Sequence, residues 1–224
     1  MHSLTKTESI AVGLVVGILC PLLSFILFWW VAASLSIIQV LPIPESGIAA
    51  AAFTGLGLGI LIDARYLGSW IPQFYSVELR VMALVYLGCS LVAVASFMGL
   101  PLGNLILGTL AGVYVGRRQF HTASSQVSAL KTIHQASLFT ALVTGTEALA
   151  IGLLALGEDW VIEELEGIIG VSSSVAAGWF GIGLVVVLCA ALMIVQFWCT
   201  STTARISRGL SGRRGSTEFD GHTL

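Results

Sequence analysis

Glu147 is the residue of this sequence with the clearest capacity for chemistry, because it is an acid in the middle of the long apolar stretch Leu138–Leu156. A charged side chain at the centre of a lipid bilayer costs about 2.5–3.5 kcal/mol on insertion scales, so an acid there indicates a function by default. Thr140 and Thr144 fall on the same helical face as Glu147, since residues three or four apart are neighbours on a helix. This polar stripe predicts a site for a proton, a cation or one end of a polar solute.

A structural interpretation of Glu147 also fits the sequence. In this interpretation the carboxyl group is neutral and is hydrogen-bonded across a helix bundle to a group such as Asn104, Tyr86 or Gln196. Buried polar groups need such partners, because an unpaired one costs free energy in apolar surroundings. No Lys, Arg or His lies deep within another apolar stretch. A neutral or cation-bound Glu147 is therefore favoured over an ion pair.

The elements that carry these side chains are apolar segments of membrane-spanning length. The chain has 224 residues, of which 56% are hydrophobic and 10% are charged, whereas about 25% of the residues of a typical soluble domain are charged. A helix needs about 20 apolar residues to cross a bilayer, with a lower limit near 17. Six segments are predicted to cross, of which the fourth is the shortest: Ile10–Ala32, Gly47–Ile62, Val81–Met98, Leu102–Val115, Leu138–Leu156 and Val175–Trp198.

The basic residues predict the orientation of these six segments. All ten lie before the first span, in the second and fourth loops, or after the sixth span. These regions share one side of the membrane when the chain crosses six times. Lys and Arg are enriched in cytoplasmic loops, so this side is predicted to be the cytoplasm. The sequence thus predicts an all-α, polytopic bundle in the prokaryotic plasma (inner) membrane, with both termini cytoplasmic.

Two segments outside the spans have patterns of their own. In the last outer loop, Val161, Leu165 and Ile168 recur at helical spacing opposite a group of acids, which predicts a short helix on the membrane surface. The transmembrane domain is assigned to residues 1–204. The remaining residues, 205–224, are basic and then rich in Gly and Ser. They have too few apolar residues to form a core, so this cytoplasmic tail is predicted to be disordered.

A glycine motif occurs in two of the predicted spans. The shared spacing, Gly-x3-Gly-x5-Arg, comprises Gly55, Gly59 and Arg65 in the second span and Gly108, Gly112 and Arg118 in the fourth. Small residues four apart let membrane helices approach closely, so these glycines are predicted to be packing positions. The repetition would also fit a pseudo-repeat that encloses a site, as in many transporters. The commonness of such glycine pairs in membrane helices favours coincidence instead.

Charged residues at the cytoplasmic ends of these two spans have two interpretations. Asp63 and Arg65 end the second span, while Arg117 and Arg118 end the fourth. As membrane anchors, the basic residues simply follow the rule that positive charge stays inside. As a functional group, the four residues would form a cytoplasmic gate or a docking point, with Asp63 paired to Arg117 or Arg118.

The sequence argues against several classes of function. It contains no HExxH, GxSxG or P-loop motif and no paired carboxylates within a span, so no enzyme is expected. Its four cysteines have no Cys/His spacing suited to a metal, and neither a metal nor a cofactor is expected. The basic residues are few and lie where membrane topology requires them, so nucleic acid is not an expected partner.

In size, span number and internal termini, the chain resembles the small substrate-binding subunits of energy-coupling-factor vitamin transporters. The helical motif with which those subunits dock through their first span is not evident, although Gly13 and Gly17 offer a small-residue surface there. The resemblance implies a solute-binding subunit that pairs with a separate energising module.

Two functions follow from these observations. The first is a small-solute or ion carrier, or a solute-binding transporter subunit, with Glu147 as the polar anchor and with Thr140, Thr144 and Asn104 near it. The second is a non-transporting scaffold or assembly protein. It would contact a partner membrane subunit, or another copy in a homo-oligomer, through the acidic outer helix or the basic loop after the fourth span. The lipid bilayer is a partner in both.

Overall fold

A computed structural model describes residues 6–96, 102–122, 125–170 and 178–219, and these residues are all-helical, with 91% in helices and no strand. The prediction of an all-α chain is confirmed. The helices in chain order are α1 (Lys6–Ile37), α2 (Glu45–Gln73), α3 (Leu79–Ser96), α4 (Leu102–His121), α5 (Gln126–Ala155), α6 (Asp159–Ile169) and α7 (Trp179–Phe219). The chain divides into two compact units, Met1–Val81 and Met82–Leu224.

Within the described residues, five helices are long and apolar enough to cross a membrane, and their apolar stretches are Glu8–Ile37, Glu45–Ser76, Leu79–Ser96, Gln126–Ala155 and Trp179–Gly209. Only 11 to 22% of the most apolar window of each stretch is buried inside the protein. The exposed side chains include many large hydrophobic ones, and such a surface indicates contact with a membrane. These helices are compatible with a multi-pass integral membrane protein.

Helix α4 is not among these five, although it matches the fourth predicted span. Its described residues begin at Leu102, and they include the buried Asn104 and the polar end Arg117–Gln119. These residues lower the mean hydropathy of the helix. Helix length and hydropathy alone therefore establish five candidate crossings and leave the sixth as a prediction.

In the first unit, α1 and α2 form an antiparallel pair whose backbones touch. A Cβ atom placed on Gly59 of α2 would lie 2.5 Å from the Cα atom of Pro21 in α1. A Cβ atom on Gly55 would overlap the carbonyl oxygen of Ser24. This half of the glycine motif thus lies against α1, with no side chain between the two backbones, which is the arrangement that small residues permit in membranes.

Helix α2 continues to Gln73, well beyond the predicted end of the second span at Ile62. The residues that the sequence assigns to a loop are therefore largely helical, and the loop prediction is wrong there. The physical reason is packing on α1. A Cβ atom on Gly13 of α1 would lie 3.1 Å from the side chain of Ile71. This contact with α1 stabilises the helical conformation of α2 beyond Ile62, where hydropathy alone does not predict a helix.

In the second unit, α7 is the central helix and packs along both α4 and α5. The residue numbers of the contacts increase in the same direction along α4 and α7. Gln196, Thr200 and Ala204 of α7 lie in turn against Gly108, Gly112 and Gly116 of α4. The two helices are therefore parallel. A Cβ atom on Gly112 would lie 2.6 Å from the carbonyl oxygen of Thr200, so these two backbones also touch.

Helix α5 runs antiparallel to α7, because Gly145 lies against Met193 and Gly152 lies against Val185. It begins at Gln126, where Ser125 is the N-cap and its side chain accepts a hydrogen bond from the backbone of Ser128. Part of the fourth predicted loop is therefore a helical extension of the fifth span.

Helix α6 forms where the sequence predicts a short helix, in the last of the predicted outer loops. It ends at Ile169, and the Gly170 that follows has a left-handed φ of 72°, which suits glycine at a helix C-terminus. The glutamates of α6 are exposed, while Val161 and Leu165 are partly buried. The position of this helix at the membrane surface stays a prediction.

Helix α7 continues through Arg205 and ends at Phe219, within the segment that the sequence assigns to the cytoplasmic tail. The division of the chain into a transmembrane domain and a disordered tail stays a prediction. A stable helix extends readily at its end, because each added residue forms one hydrogen bond without a new nucleation step.

Candidate functional site

The interior of the second unit contains many polar side chains. Among the described residues, the largest fully buried side chains are Gln196, Asn104, Thr140, Thr144, Thr200, Ser90 and Ser137. The fully buried residues of soluble proteins are mostly apolar instead. In a membrane the polar side chains face inward, because hydrocarbon offers them no hydrogen bond. The second unit therefore has an apolar exterior around a polar core.

Glu147 lies at this core, half-buried on α5, and accepts two hydrogen bonds on one oxygen. Nδ2 of Asn104 on α4 donates to Glu147 Oε2 at 2.6 Å, and Oγ of Ser90 on α3 donates to the same atom at 2.8 Å. Asn104 is one of the partners that the sequence suggests for Glu147. Among the described residues, no hydrogen bond reaches Oε1 and no basic side chain pairs with the carboxylate.

Further hydrogen bonds link these helices to α7. Nε2 of Gln196 donates to the backbone oxygen of Asn104 at 2.9 Å and to the hydroxyl of Tyr86 on α3 at 3.2 Å. The hydroxyl of Thr144 and the carboxylate of Glu147 lie near the Tyr86 hydroxyl. Five residues from four helices thus form a linked set, which we call the Glu147 ring: Glu147, Asn104, Gln196, Tyr86 and Thr144.

Gly108 makes room for the ring. A Cβ atom on Gly108 would overlap Nε2 of Gln196, so a larger residue would push the amide away from both of its acceptors. The two copies of the glycine motif therefore lie against different helices. Gly108 and Gly112 lie against α7 in the second unit, whereas Gly55 and Gly59 lie against α1 in the first.

Three oxygen atoms of the ring are buried without a hydrogen-bond partner in the described part of the chain: Oδ1 of Asn104, Oε1 of Gln196 and Oγ1 of Thr144. Most buried polar atoms in proteins are hydrogen-bonded, and each unpaired one costs about 1–3 kcal/mol. These oxygens are therefore positions where a ligand with positive charge or hydrogen-bond donors would bind favourably.

A second polar layer lies next to the ring. The hydroxyl of Thr140 on α5 is 3.0 Å from that of Thr200 on α7 and donates to the backbone oxygen of Ser137 at 3.1 Å. Thr140 and Thr144 are both buried. The polar stripe that the sequence predicts on α5 thus lies in the core, with Thr144 in the ring and Thr140 in this second layer.

Three residues of the polar core were not predicted from the sequence, Ser90, Ser137 and Thr200. A serine in an apolar helix can satisfy its hydroxyl on its own backbone, so the sequence around Ser90 contains no signal for a role across the bundle. Thr200 follows Gln196 by four residues. This spacing places both on one helical face, and it is the signal that would have indicated a polar face on α7.

The predicted gate residues belong to different units. Asp63 is buried on α2 in the first unit, and neither carboxylate oxygen has a hydrogen-bond partner among the described residues. Arg65 is exposed on the same helix. Arg117 and Arg118 are partly buried near the end of α4 in the second unit. A pairing of Asp63 with either arginine would join the two units and stays a prediction.

The surface depression of the first unit and the possible metal-binding groups are weaker candidates for a functional site. A surface depression of about 340 Å³ in the first unit has an apolar lining apart from Glu45. Within the described segments, no group of three His, Cys, Asp or Glu residues is arranged to hold a metal ion. The Glu147 ring is therefore the strongest candidate site.

Comparison with protein-family models, with curated proteins and with solved structures finds no match for this chain. The likeness to the vitamin-transporter subunits remains one of outline, and it carries no site residue over to this protein.

Proposed function

We propose that this protein is a membrane carrier, or the solute-binding subunit of a transporter, and that its site is the Glu147 ring. The observation that carries the proposal is the presence of three buried, unpaired oxygens beside a half-buried carboxylate. A purely structural core would not need them, because apolar side chains of similar size pack without unpaired polar atoms. Binding and not catalysis is assigned, because the ring contains a single carboxylate and no basic residue.

The proposal includes six membrane crossings. Helix α4 lies parallel to α7, with Gly108 to Gly116 against residues 196 to 204. These α7 residues belong to the apolar stretch Trp179–Gly209, and their contacts support a similar membrane depth for α4. The opposite direction of α5 fits a chain that crosses alternately. The basic residues then lie on the cytoplasmic side of a prokaryotic plasma membrane, and α6 lies on the outer surface.

This topology predicts opposite labelling at the two ends of α5. A single cysteine at Ser125 is expected to react with an impermeant thiol reagent only after the cells are opened, because Ser125 lies on the cytoplasmic side. A cysteine at Glu158 is expected to react in intact cells. Both positions are exposed, and both variants are made in a chain without the four native cysteines. Labelling of both positions from the same side would contradict the crossing of α5.

The binding site is tested with Glu147→Gln, which removes the charge and keeps the shape. The melting temperature of the purified full-length protein is measured against inorganic cations, amines, sugars, vitamins and amino acids. At least one solute is expected to stabilise the wild type and not the variant, because binding to the native state alone raises stability. Glu158→Gln is the matched control, since Glu158 is exposed outside the ring, and it is expected to respond as the wild type does.

If every solute affects the wild type and Glu147→Gln equally, the carrier proposal fails. The scaffold function would then be the remaining one, and its observable is a protein that co-purifies with the chain and is lost when the exposed glutamates of α6 are replaced.

A further inference from the structure

The unpaired atoms of the Glu147 ring have one chemical character. All three are oxygens, and those of Asn104 and Gln196 are amide oxygens, which accept hydrogen bonds and cannot donate them. Oε1 of Glu147 is an additional acceptor without a hydrogen bond among the described residues. The hydroxyls of Thr144 and Tyr86 can also donate, whereas the other free atoms of the ring can only accept. The ring therefore favours a ligand that supplies positive charge or hydrogen-bond donors.

The hydrogen bonds of the two side-chain amides explain why their oxygen atoms, and not their nitrogen atoms, are unpaired. Nε2 of Gln196 faces the backbone oxygen of Asn104 at 2.9 Å, and a backbone oxygen can only accept. Exchanging the nitrogen and oxygen of Gln196 would bring two acceptors together. Nδ2 of Asn104 likewise faces the carboxylate of Glu147. The unpaired Oδ1 and Oε1 atoms thus follow from the hydrogen-bond network, which is the proper basis for assigning amides.

The charge of the ring limits the charge of its ligand. Glu147 is the only acid in the ring, whose other four members are neutral residues. A single positive charge would give a neutral complex, which the bilayer interior tolerates far better than a net charge. A divalent cation would leave an excess positive charge in the membrane.

The dimensions of the ring limit the size of its ligand. Glu147, Asn104, Gln196 and Tyr86 are joined by hydrogen bonds of 2.6 to 3.2 Å, and Asn104, Gln196, Thr144 and Tyr86 are at least nine-tenths buried. Sites for organic ligands are usually cavities of about 300–1,000 Å³. Side chains that are linked this closely favour a bare ion over a metabolite as the ligand.

We propose that the ligand of the Glu147 ring is a monovalent alkali-metal cation, Na⁺ or K⁺, bound by Glu147 Oε1 and by the unpaired oxygens of Asn104, Gln196 and Thr144. Hard cations prefer carboxylate, carbonyl and hydroxyl oxygens, which are the groups present. The inference rests on the proposed function, because it names the solute of the same site. The cation is either the transported substrate or the ion that couples transport.

The test measures the melting temperature of the purified full-length protein in NaCl, KCl, LiCl and choline chloride at constant ionic strength. Na⁺ or K⁺ is expected to raise it by about 3 to 6 °C at ten times the dissociation constant, and by more as the logarithm of the concentration rises. Choline is expected to have no such effect, because it is too large for the ring. Glu147→Gln is expected to lose the response, and the exposed-acid control Glu158→Gln is expected to keep it.

Thr144→Val provides a second test that does not depend on Glu147→Gln folding. Valine has the shape of threonine but lacks the hydroxyl oxygen. Removal of one ligand is expected to shift the plot of melting temperature against cation concentration to about tenfold higher concentration. A plot for Thr144→Val that superimposes on that of the wild type, each relative to its own melting temperature without the cation, would overturn this ligand set.

The outcomes separate this inference from the proposed function. A Glu147-dependent stabilisation by an organic amine or a sugar, without one by Na⁺ or K⁺, overturns the cation and leaves a solute site. Stabilisation that follows pH alone and is lost in Glu147→Gln replaces the metal cation with a proton. If Na⁺ and K⁺ act equally on the wild type and Glu147→Gln, and no other solute separates them, both proposals fail.

Discussion

Substitution of Gly116 by leucine is expected to lower the melting temperature of the purified protein by about 6 °C or more. A Cβ atom at this position would overlap the carbonyl oxygen of Ala204 in α7. Helix α7 cannot move aside without losing its contacts at Gly108 and Gly112. Overpacking of this kind costs about 3 kcal/mol, and each kcal/mol corresponds to about 2–4 °C in a protein of this size.

Gly183→Leu is the matched control for this prediction. Gly183 is exposed on α7 itself, and a Cβ atom there would meet no described heavy atom within 4 Å. The same change of residue in the same apolar stretch is therefore expected to leave the melting temperature near that of the wild type. Equal effects of the two substitutions would show that leucine is harmful for another reason, and the direct contact between α4 and α7 would lose its support.

Substitution of Gln196 by methionine is expected to destabilise the protein by about 1–3 kcal/mol, or about 2–12 °C in melting temperature. Methionine is close to glutamine in length and flexibility, so packing is largely retained. The two hydrogen bonds to Asn104 and Tyr86 are lost. The backbone oxygen of Asn104 keeps the hydrogen bond of its own helix, because Asn104 lies within the first turns of α4. The expected loss therefore comes from two hydrogen bonds between membrane helices, which average about 0.6 kcal/mol and reach about 1.7 kcal/mol each.

A double-mutant cycle with Tyr86→Phe separates the two hydrogen bonds of Gln196. Tyr86→Phe alone removes only the hydroxyl that accepts at 3.2 Å, so a smaller loss than that of Gln196→Met is expected. The double variant is expected to be less destabilised than the sum of the two, by about 0.5 kcal/mol or more, because contacting residues are not independent. Strict additivity would show that Gln196 and Tyr86 do not interact.

The helices of this protein were largely predictable because hydropathy is a local property. The apolar stretch that contains Glu147 corresponds closely to the later part of α5, and an acid at its centre was recognisable as a functional candidate. Helix ends were less predictable, because they depend on contacts with other helices. The extension of α2 to Gln73 depends on the contact of Ile71 with Gly13, which no window along the chain can reveal.

The partners of Glu147 were only partly predictable for a related reason. Asn104, Tyr86 and Gln196 all had suitable chemistry, but the choice among them depends on the rotation of α4 and α7 about their axes. That rotation follows from the close approach at Gly112, which brings Asn104 to Glu147 and Gln196 to Asn104. The glycine spacing was visible in the sequence, whereas the identity of the helix that it contacts was not.

The parallel packing of α4 and α7 has a consequence for synthesis at the ribosome. In the topology proposed above, Ser90 and Asn104 precede Glu147 in the chain and are inserted before the carboxylate to which they donate. The glycine face of α4 stays uncovered until α5 and α6 have been translated and α7 has emerged. In that topology the nascent chain exposes this backbone surface within the bilayer during the interval, when insertion factors or quality-control proteases would meet an incompletely assembled second unit.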